Sequence, residues 1–241
     1  MVLTLALSLA LAAQDIPDKA SLLYTGVPSC TAPCPVQMVT HDAKAVLSTT
    51  SETVDSLTTF KNTSGAIQNV TVSIPVEGHN VDYNMPNSIQ VSATVDNMPA
   101  AVTMVGPKIV PPTDQRLIAS GIKAGSYESS YQLKLNFIGR GSHSLRVHFV
   151  SSIGKAGLDG AQRVISYDTS GGATWHDAVG QLNFGVKYTP RIVFQVYAAL
   201  PEGGWQIGST GAFVKQTNVH PTATSKFIFT YYPGGYDKLG G

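Results

Sequence analysis

The run YQLKLNF (131–137) alternates apolar and polar residues without a break. Successive side chains of a strand point to opposite faces, so this pattern buries one face and wets the other. It does not suit a helix, whose apolar positions recur every three to four residues. The same period returns in SLRVHFV (144–150), with Leu145, Val147 and Phe149 on one side, and in NVTVSIPV (69–76), with Val70, Val72 and Ile74. Beyond residue 13 no segment carries a sustained helical stripe. About ten to thirteen short strands at this spacing predict an all-β fold, an antiparallel β-sandwich built as one body or as two sandwich lobes sharing an interface.

Local signals predict the connections. Asn62-Thr-Ser-Gly65 reads as a turn between two paired strands, because Asn and Ser bond their own backbone and Gly accepts positive φ. Gly139-Arg-Gly141 reads as the turn of the clearest hairpin, and Asp96-Asn97 as another. Pro75 reads as a strand end or an edge position. IVFQVYAAL (192–200), apolar on both faces, reads as a central strand, and GWQIGS (204–209) as a short one.

Composition narrows the function. Charged residues make up 13% of the 241 residues, with a net charge of +1, against a usual share of about 25%. Polarity comes from 22 Ser and 22 Thr instead, which suit a pleated surface. With no basic block to displace counterions, nucleic acid is not an expected partner, and a polybasic membrane patch is missing too.

The first residues, MVLTLALSLALAA, form an apolar run too short to span a bilayer. It ends in the small-x-small pattern Ala10-Leu11-Ala12, so residues 1–13 read as a secretory signal, although no Lys or Arg precedes the run. Residues 14–35 read as a Pro-rich lead-in with little periodicity, 36–152 as a first β-sandwich lobe, and 153–241 as a β-rich second lobe completing or packing on it. The expected location is secreted, periplasmic or at the cell surface, with no transmembrane span in the mature form. In an oxidising compartment Cys30 and Cys34 are expected to pair as a disulfide.

Catalytic signatures are thin. The six histidines (His41, His79, His143, His148, His176 and His220) show no metal-ligand spacing. Ser120/Lys123 and Ser152/Lys155 match Ser-x-x-Lys, but in Gly-containing loops rather than on a helix. No phosphate loop, nucleophile elbow or zinc-helix motif is present. CTAPCP resembles the Cys-x-x-x-Cys-Pro motif of thioredoxin-like copper chaperones of the Sco type, with Met38 and His41 nearby. That resemblance is confined to this short motif and implies a thiol or copper-binding alternative through Cys30 and Cys34. Trp175, Trp205, Tyr232 and Tyr236 lie at or near Gly-rich loops, where rings can stack on sugars or anchor a partner.

The order Phe60-x-Asn62-x-Ser64 followed by V-x-V-x-I-P at 70–75 is similar to uncharacterised exported bacterial β-sandwich proteins. SYDTSGGATWHDAVGQLNFGVKY (166–188) resembles their Tyr-to-Trp hairpin. The resemblance implies a fold and an exported address, and no activity.

The sequence-based expectation is therefore an exported, non-enzymatic β-sandwich without cofactor or metal. It would serve as a cell-envelope or extracellular structural or interaction module whose partners are other protein subunits or a cell-surface polymer. It would self-assemble by strand addition, with residues 13–35 supplying a segment to a neighbour, as in a homo-oligomer. The alternatives are a carbohydrate- or ligand-binding module using the loop aromatics, and the thiol or copper reading.

Overall fold

Alternating sequences become long strands that each turn one face inward. The computed structural model describes residues 20–31, 34–82, 89–110, 124–157 and 160–234. The strands are β1 (Leu22–Gly26), β2 (Ser29–Cys30), β3 (Val36–Leu47), β4 (Ser51–Asn62), β5 (Gln68–Asp82), β6 (Gln90–Val95), β7 (Met98–Ala100), β8 (Thr103–Val110), β9 (Ala124–Phe137), β10 (Ser142–Ser152), β11 (Gly154–Ala156), β12 (Gln162–Asp168), β13 (Val179–Lys187), β14 (Val193–Leu200), β15 (Trp205–Ile207), β16 (Gly211–Val219) and β17 (Lys226–Pro233). A 3-10 turn spans Ser170–Thr174.

The strands form two sheets. The first has the order β14-β17-β12-β1-β5-β9-β8, with β11 beside β12 and β2 beside β5. The second runs β15-β16-β13-β3-β4-β10-β6-β7. The all-β sandwich is thus present, with mixed sheets. All pairings among the described residues are antiparallel except β1 with β12 and β3 with β13. These two parallel contacts lie inside the sheets and join strands from the start of the chain to strands from its later part.

Between the sheets, rings fill the core. Tyr167, Phe184 and Phe227 stack in series with centroids 5.0 and 5.6 Å apart, and Phe60, Phe137, Phe149 and Phe229 are fully buried. Each such ring removed from water stabilises the fold by about 2–3 kcal/mol.

Two expected hairpins are instead arches that cross from one sheet to the other. Strand β4 pairs with β3 and β10, whereas β5, beyond the 62–65 turn, pairs with β1, β2 and β9. Strands β9 and β10 likewise lie in different sheets. Their apolar faces were assigned correctly, but they face each other across the core rather than lying side by side. The two arches are stacked and tied together by Asn62. Its backbone N–H donates to the Gly141 carbonyl at 3.0 Å, and its side-chain amide donates to the carbonyls of Ala66 and Gly139. Asn62 is fully buried, so Asn62→Ala removes the donor shared by the Ala66 and Gly139 carbonyls and the oxygen that accepts from the Ser64 N–H. A loss of about 2–3 kcal/mol is expected, read as a lower urea midpoint with an unchanged slope.

A second pair of stacked arches joins β2 to β3 and β12 to β13. Here the Trp175 indole N–H donates to the Pro28 carbonyl at 2.7 Å, the Cys30 N–H donates to the Thr174 hydroxyl at 2.8 Å, and the His176 N–H donates to the Val36 carbonyl at 3.0 Å. Gly171 is needed at this crossing, because any Cβ there would overlap the Val27 carbonyl oxygen. The resemblance-based hairpin at 166–188 is therefore also an arch.

The segment 20–31 is not a free lead-in. Strand β1 sits between β5 and β12 inside the first sheet, with Leu22, Tyr24 and Thr25 buried. Conversely, β14 is an edge strand and not a central one, with Phe194 and Tyr197 exposed at 59% and 62%. The expected signal at 1–13 lies outside the described residues. Among those described, no helix is long and apolar enough to cross a membrane.

Candidate functional site

Neighbouring outward positions on four strands of the second sheet create an open groove of about 560 Å³. Register aligns them in a row. Lys44 on β3 lies opposite Gly185 on β13, Gly185 opposite Phe213 on β16, and Phe213 opposite Gln206 on β15. Gly185 makes the depression, since a strand residue without a side chain leaves a gap between its neighbours. A Cβ built there would meet only the edge of the Phe213 ring, at 3.7 Å, and a carbonyl at 3.9 Å.

The adjacent row carries the polar end. Asp42 and Asn183 are register partners, and the Asn183 amide donates a short hydrogen bond to Asp42 Oδ1. Asn183 is 8% exposed, yet its own carbonyl oxygen has no hydrogen-bond partner. A buried acceptor left unpaired costs about 1–3 kcal/mol. On the other side of Gly185, Lys187 completes the lining. Neither Lys44 nor Lys187 forms an ion pair among the described residues. The groove therefore offers two ammonium groups without ion pairs and an exposed ring, with the unpartnered Asn183 amide oxygen buried beside them.

The aromatic residues singled out in the sequence do not build this site. Trp175 is 5% exposed and stacks on Phe60 at 4.4 Å. It seals the arches and presents no face to a ligand, which corrects the expectation for that residue. Trp205 turns inward against Phe184, Phe227 and Phe229, with its indole nitrogen buried and unpartnered. Tyr232, on β17 of the other sheet, accepts a hydrogen bond from Gln162 and packs edge-on against Tyr197. Tyr236 lies outside the described residues. The structure thus does not bring Trp175, Trp205 and Tyr232 together.

Cys30 and Cys34 are joined as a disulfide, with Cα atoms 5.9 Å apart, which pins the arch between β2 and β3. The paired sulfurs offer no thiolate couple for copper. Met38 and His41, their neighbours in sequence, are fully buried. Ser152 and Lys155 lie on strands β10 and β11 rather than on a helix, and Ser120 and Lys123 lie outside the described residues. No group of three or more metal-ligating side chains converges among the described residues.

The histidines settle into local roles. His41 bridges the sheets, with its ring nitrogens 2.8 Å from the Thr58 hydroxyl and 2.7 Å from the Tyr167 hydroxyl. Burial pushes its pKa down to about 3. His143 sits beside a second cavity of about 410 Å³. Its ring nitrogens contact Asp96 at 2.6 Å and the Asn136 carbonyl at 3.0 Å. Partial burial pulls this imidazole down, but those two acceptors outweigh it and leave the pKa raised. The same acceptors occupy the ring, so His143 presents no free ring nitrogen to this cavity. His148 pairs with Asp55 at the surface.

In sequence the chain matches no family model and no curated protein. In structure it is similar to a Legionella pneumophila protein provisionally described as a nutrient binding protein, with a TM-score of 0.68 and 15% identity, over 88% of this chain and 72% of that one. That likeness is one of fold. An M1 zinc metallopeptidase from Deinococcus radiodurans aligns at a TM-score of 0.40 and 7% identity, over 82% of this chain and 42% of the peptidase. Yeast LTA4 hydrolase in complex with bestatin aligns at 0.41 and 10%, over 81% and 28%. Overlaps this low say nothing about chemistry.

Proposed function

We propose that this chain is an exported, non-catalytic β-sandwich that binds a small ligand in the groove over Gly185. The observation that carries the reading is the Asn183 carbonyl, buried without a partner beside a depression lined by two unpaired lysines and a ring. Binding sites in otherwise satisfied proteins are where such unmet polar groups collect. The description attached to the Legionella protein is compatible with it. The export assignment rests on the apolar N-terminal run and the disulfide.

Self-assembly by strand addition, the leading expectation from sequence, has less support. The outer strands of the second sheet, β7 and β15, are three residues long, and β7 contains Pro99. Strand β14 has two register shifts, and β8 has one near Lys108. Short, bulged, proline-bearing edges resist pairing with another chain.

The test is ligand mapping by heteronuclear NMR with a panel of sugars, organic acids and amino acids. Perturbed amides around Gly185, Asn183 and Phe213 are expected for at least one compound. Gly185→Val should abolish them with little change in melting temperature, because its Cβ fits and its side chain fills the groove. A panel that perturbs none of these amides removes the proposal.

A further inference from the structure

The groove's chemistry is asymmetric, and that asymmetry carries information about what fits it. Resting on the ligand-binding reading above, we infer that the ligand is a carboxylated saccharide lying along β13, with its hydroxyl-rich end at Asp42 and Asn183 and its carboxylate at Lys44 and Lys187. Three features lead there. The Asn183 amide oxygen is buried at the edge of the groove without a partner. The neighbouring Asp42 carboxylate has acceptor capacity beyond the one bond it takes from Asn183. Ligand hydroxyls can donate to this exposed carboxylate, and a ligand carboxylate cannot.

At the other end, Lys44 and Lys187 are exposed and form no ion pair among the described residues. Asp55, the register partner of Lys44 on β4, is taken by His148 at 2.9 Å, and lysines held near one another favour an anion. Between the ends, Phe213 lies over the glycine at 40% exposure, a surface on which the C–H face of a sugar ring packs. The rows of Asn183 and Lys187 are four residues apart, or about 13 Å along the strand, which suits a short oligosaccharide better than a single small acid.

Calorimetric titration of the whole protein separates the alternatives. The probes are an oligogalacturonate, a neutral oligosaccharide of equal length, and citrate. The oligogalacturonate is expected to bind, more weakly as salt is raised. Lys44→Ala and Lys187→Ala should each weaken it about tenfold, as the loss of a charge-assisted hydrogen bond does, and Gly185→Val should abolish it. All three substituted side chains face solvent or the groove, so folding is retained and is checked by circular dichroism. Equal binding of the neutral sugar overturns the assigned role of the lysines, and equal binding of citrate overturns the saccharide. In both cases the groove still binds a ligand. If none of the three binds while another panel compound perturbs the groove amides, the saccharide class alone fails. If no compound does so, the site itself fails.

Discussion

A chain from which residues 20–31 are deleted is expected not to fold. The segment supplies β1, hydrogen-bonded on one side to β5 and on the other to β12. Removing it opens a gap inside the first sheet and leaves two strand edges unpaired, each a template for aggregation. It also takes away Leu22, Tyr24, Val27 and Cys30 from the cores they fill, the disulfide, and the Val27 N–H bond to Asp168 that begins the stacked arches. The summed loss exceeds the roughly 5–15 kcal/mol by which a domain is stable. Circular dichroism should show no cooperative thermal transition, and size exclusion should show aggregate. Replacing Met98–Ala100 by Gly-Ser-Gly, at the outer edge of the second sheet, should leave a folded monomer. A deletion variant melting like the intact protein would mean that β1 is dispensable, and the assembly of the first sheet described above would be wrong.

Why β1 escaped a reading of the sequence is physically plain. A strand covered on both faces loses its alternation, and five residues are too few for any period to show. The segment LLYTG carries Tyr24 and Thr25, whose polar ends are satisfied by Glu77 and the Pro75 carbonyl, partners fifty or more residues away. The alternating strands were legible, with the correct residues inward for Leu133, Leu135, Phe137, Leu145, Val147 and Phe149. Their partners were not, because alternation reports which face is buried and is blind to whether the next strand lies beside or across. A hairpin and an arch have the same period, and Asn62 and Gly139 suit both. Strand β14 misled in the opposite sense: its outward Phe194 and Tyr197 imitate a strand buried on two sides. Trp175 appeared exposed because glycines precede it, yet those glycines are what let the arch close over it.

The groove was invisible for a deeper reason. Asp42 and Asn183 are separated by 141 positions and meet through a parallel register that no local signal encodes. What can be noticed in the sequence is the glycine inside an otherwise regular strand at 185, a sign of close approach or of missing bulk. The same long-range pairing accounts for the buried ionisable groups. His41 and Glu52 sit on ordinary alternating strands, at inward positions where the sequence offers no warning of their depth.

Those two groups set the expected pH dependence of stability. His41 is held neutral, its pKa lowered by burial from 6.5 to about 3, while it faces Thr58 and Tyr167. Glu52 is 2% exposed, with one oxygen accepting from Ser151 at 3.1 Å and the other unpartnered. Burial raises its pKa from 4.5 to about 8 against the smaller opposing effect of the Ser151 bond, and Tyr231 lies within its field. A lowered histidine gives stability that is present above 6.5 and is lost as pH falls toward 3. A raised carboxyl gives stability that is present below 4.5 and is lost as pH rises toward 8. Between about pH 4.5 and 6.5 the unfolded chain takes up one proton on His41 and gives up one from Glu52 relative to the fold, so the slopes cancel and stability is flat. Outside that window it falls by about 1.4 kcal/mol per pH unit on either side, for a loss of about 2 kcal/mol by pH 3 and again by pH 8. Glu77, also raised by burial, adds a loss that sets in as pH rises above 4.5 and tilts the plateau downward toward alkaline pH. Urea denaturation from pH 3 to 8.5 should show this plateau. In Glu52→Gln most of the alkaline limb disappears and stability falls continuously as pH drops below 6.5. In His41→Gln the plateau turns instead into a decline beginning at 4.5. A plateau unchanged in both variants would mean that neither group is buried as the sandwich places it.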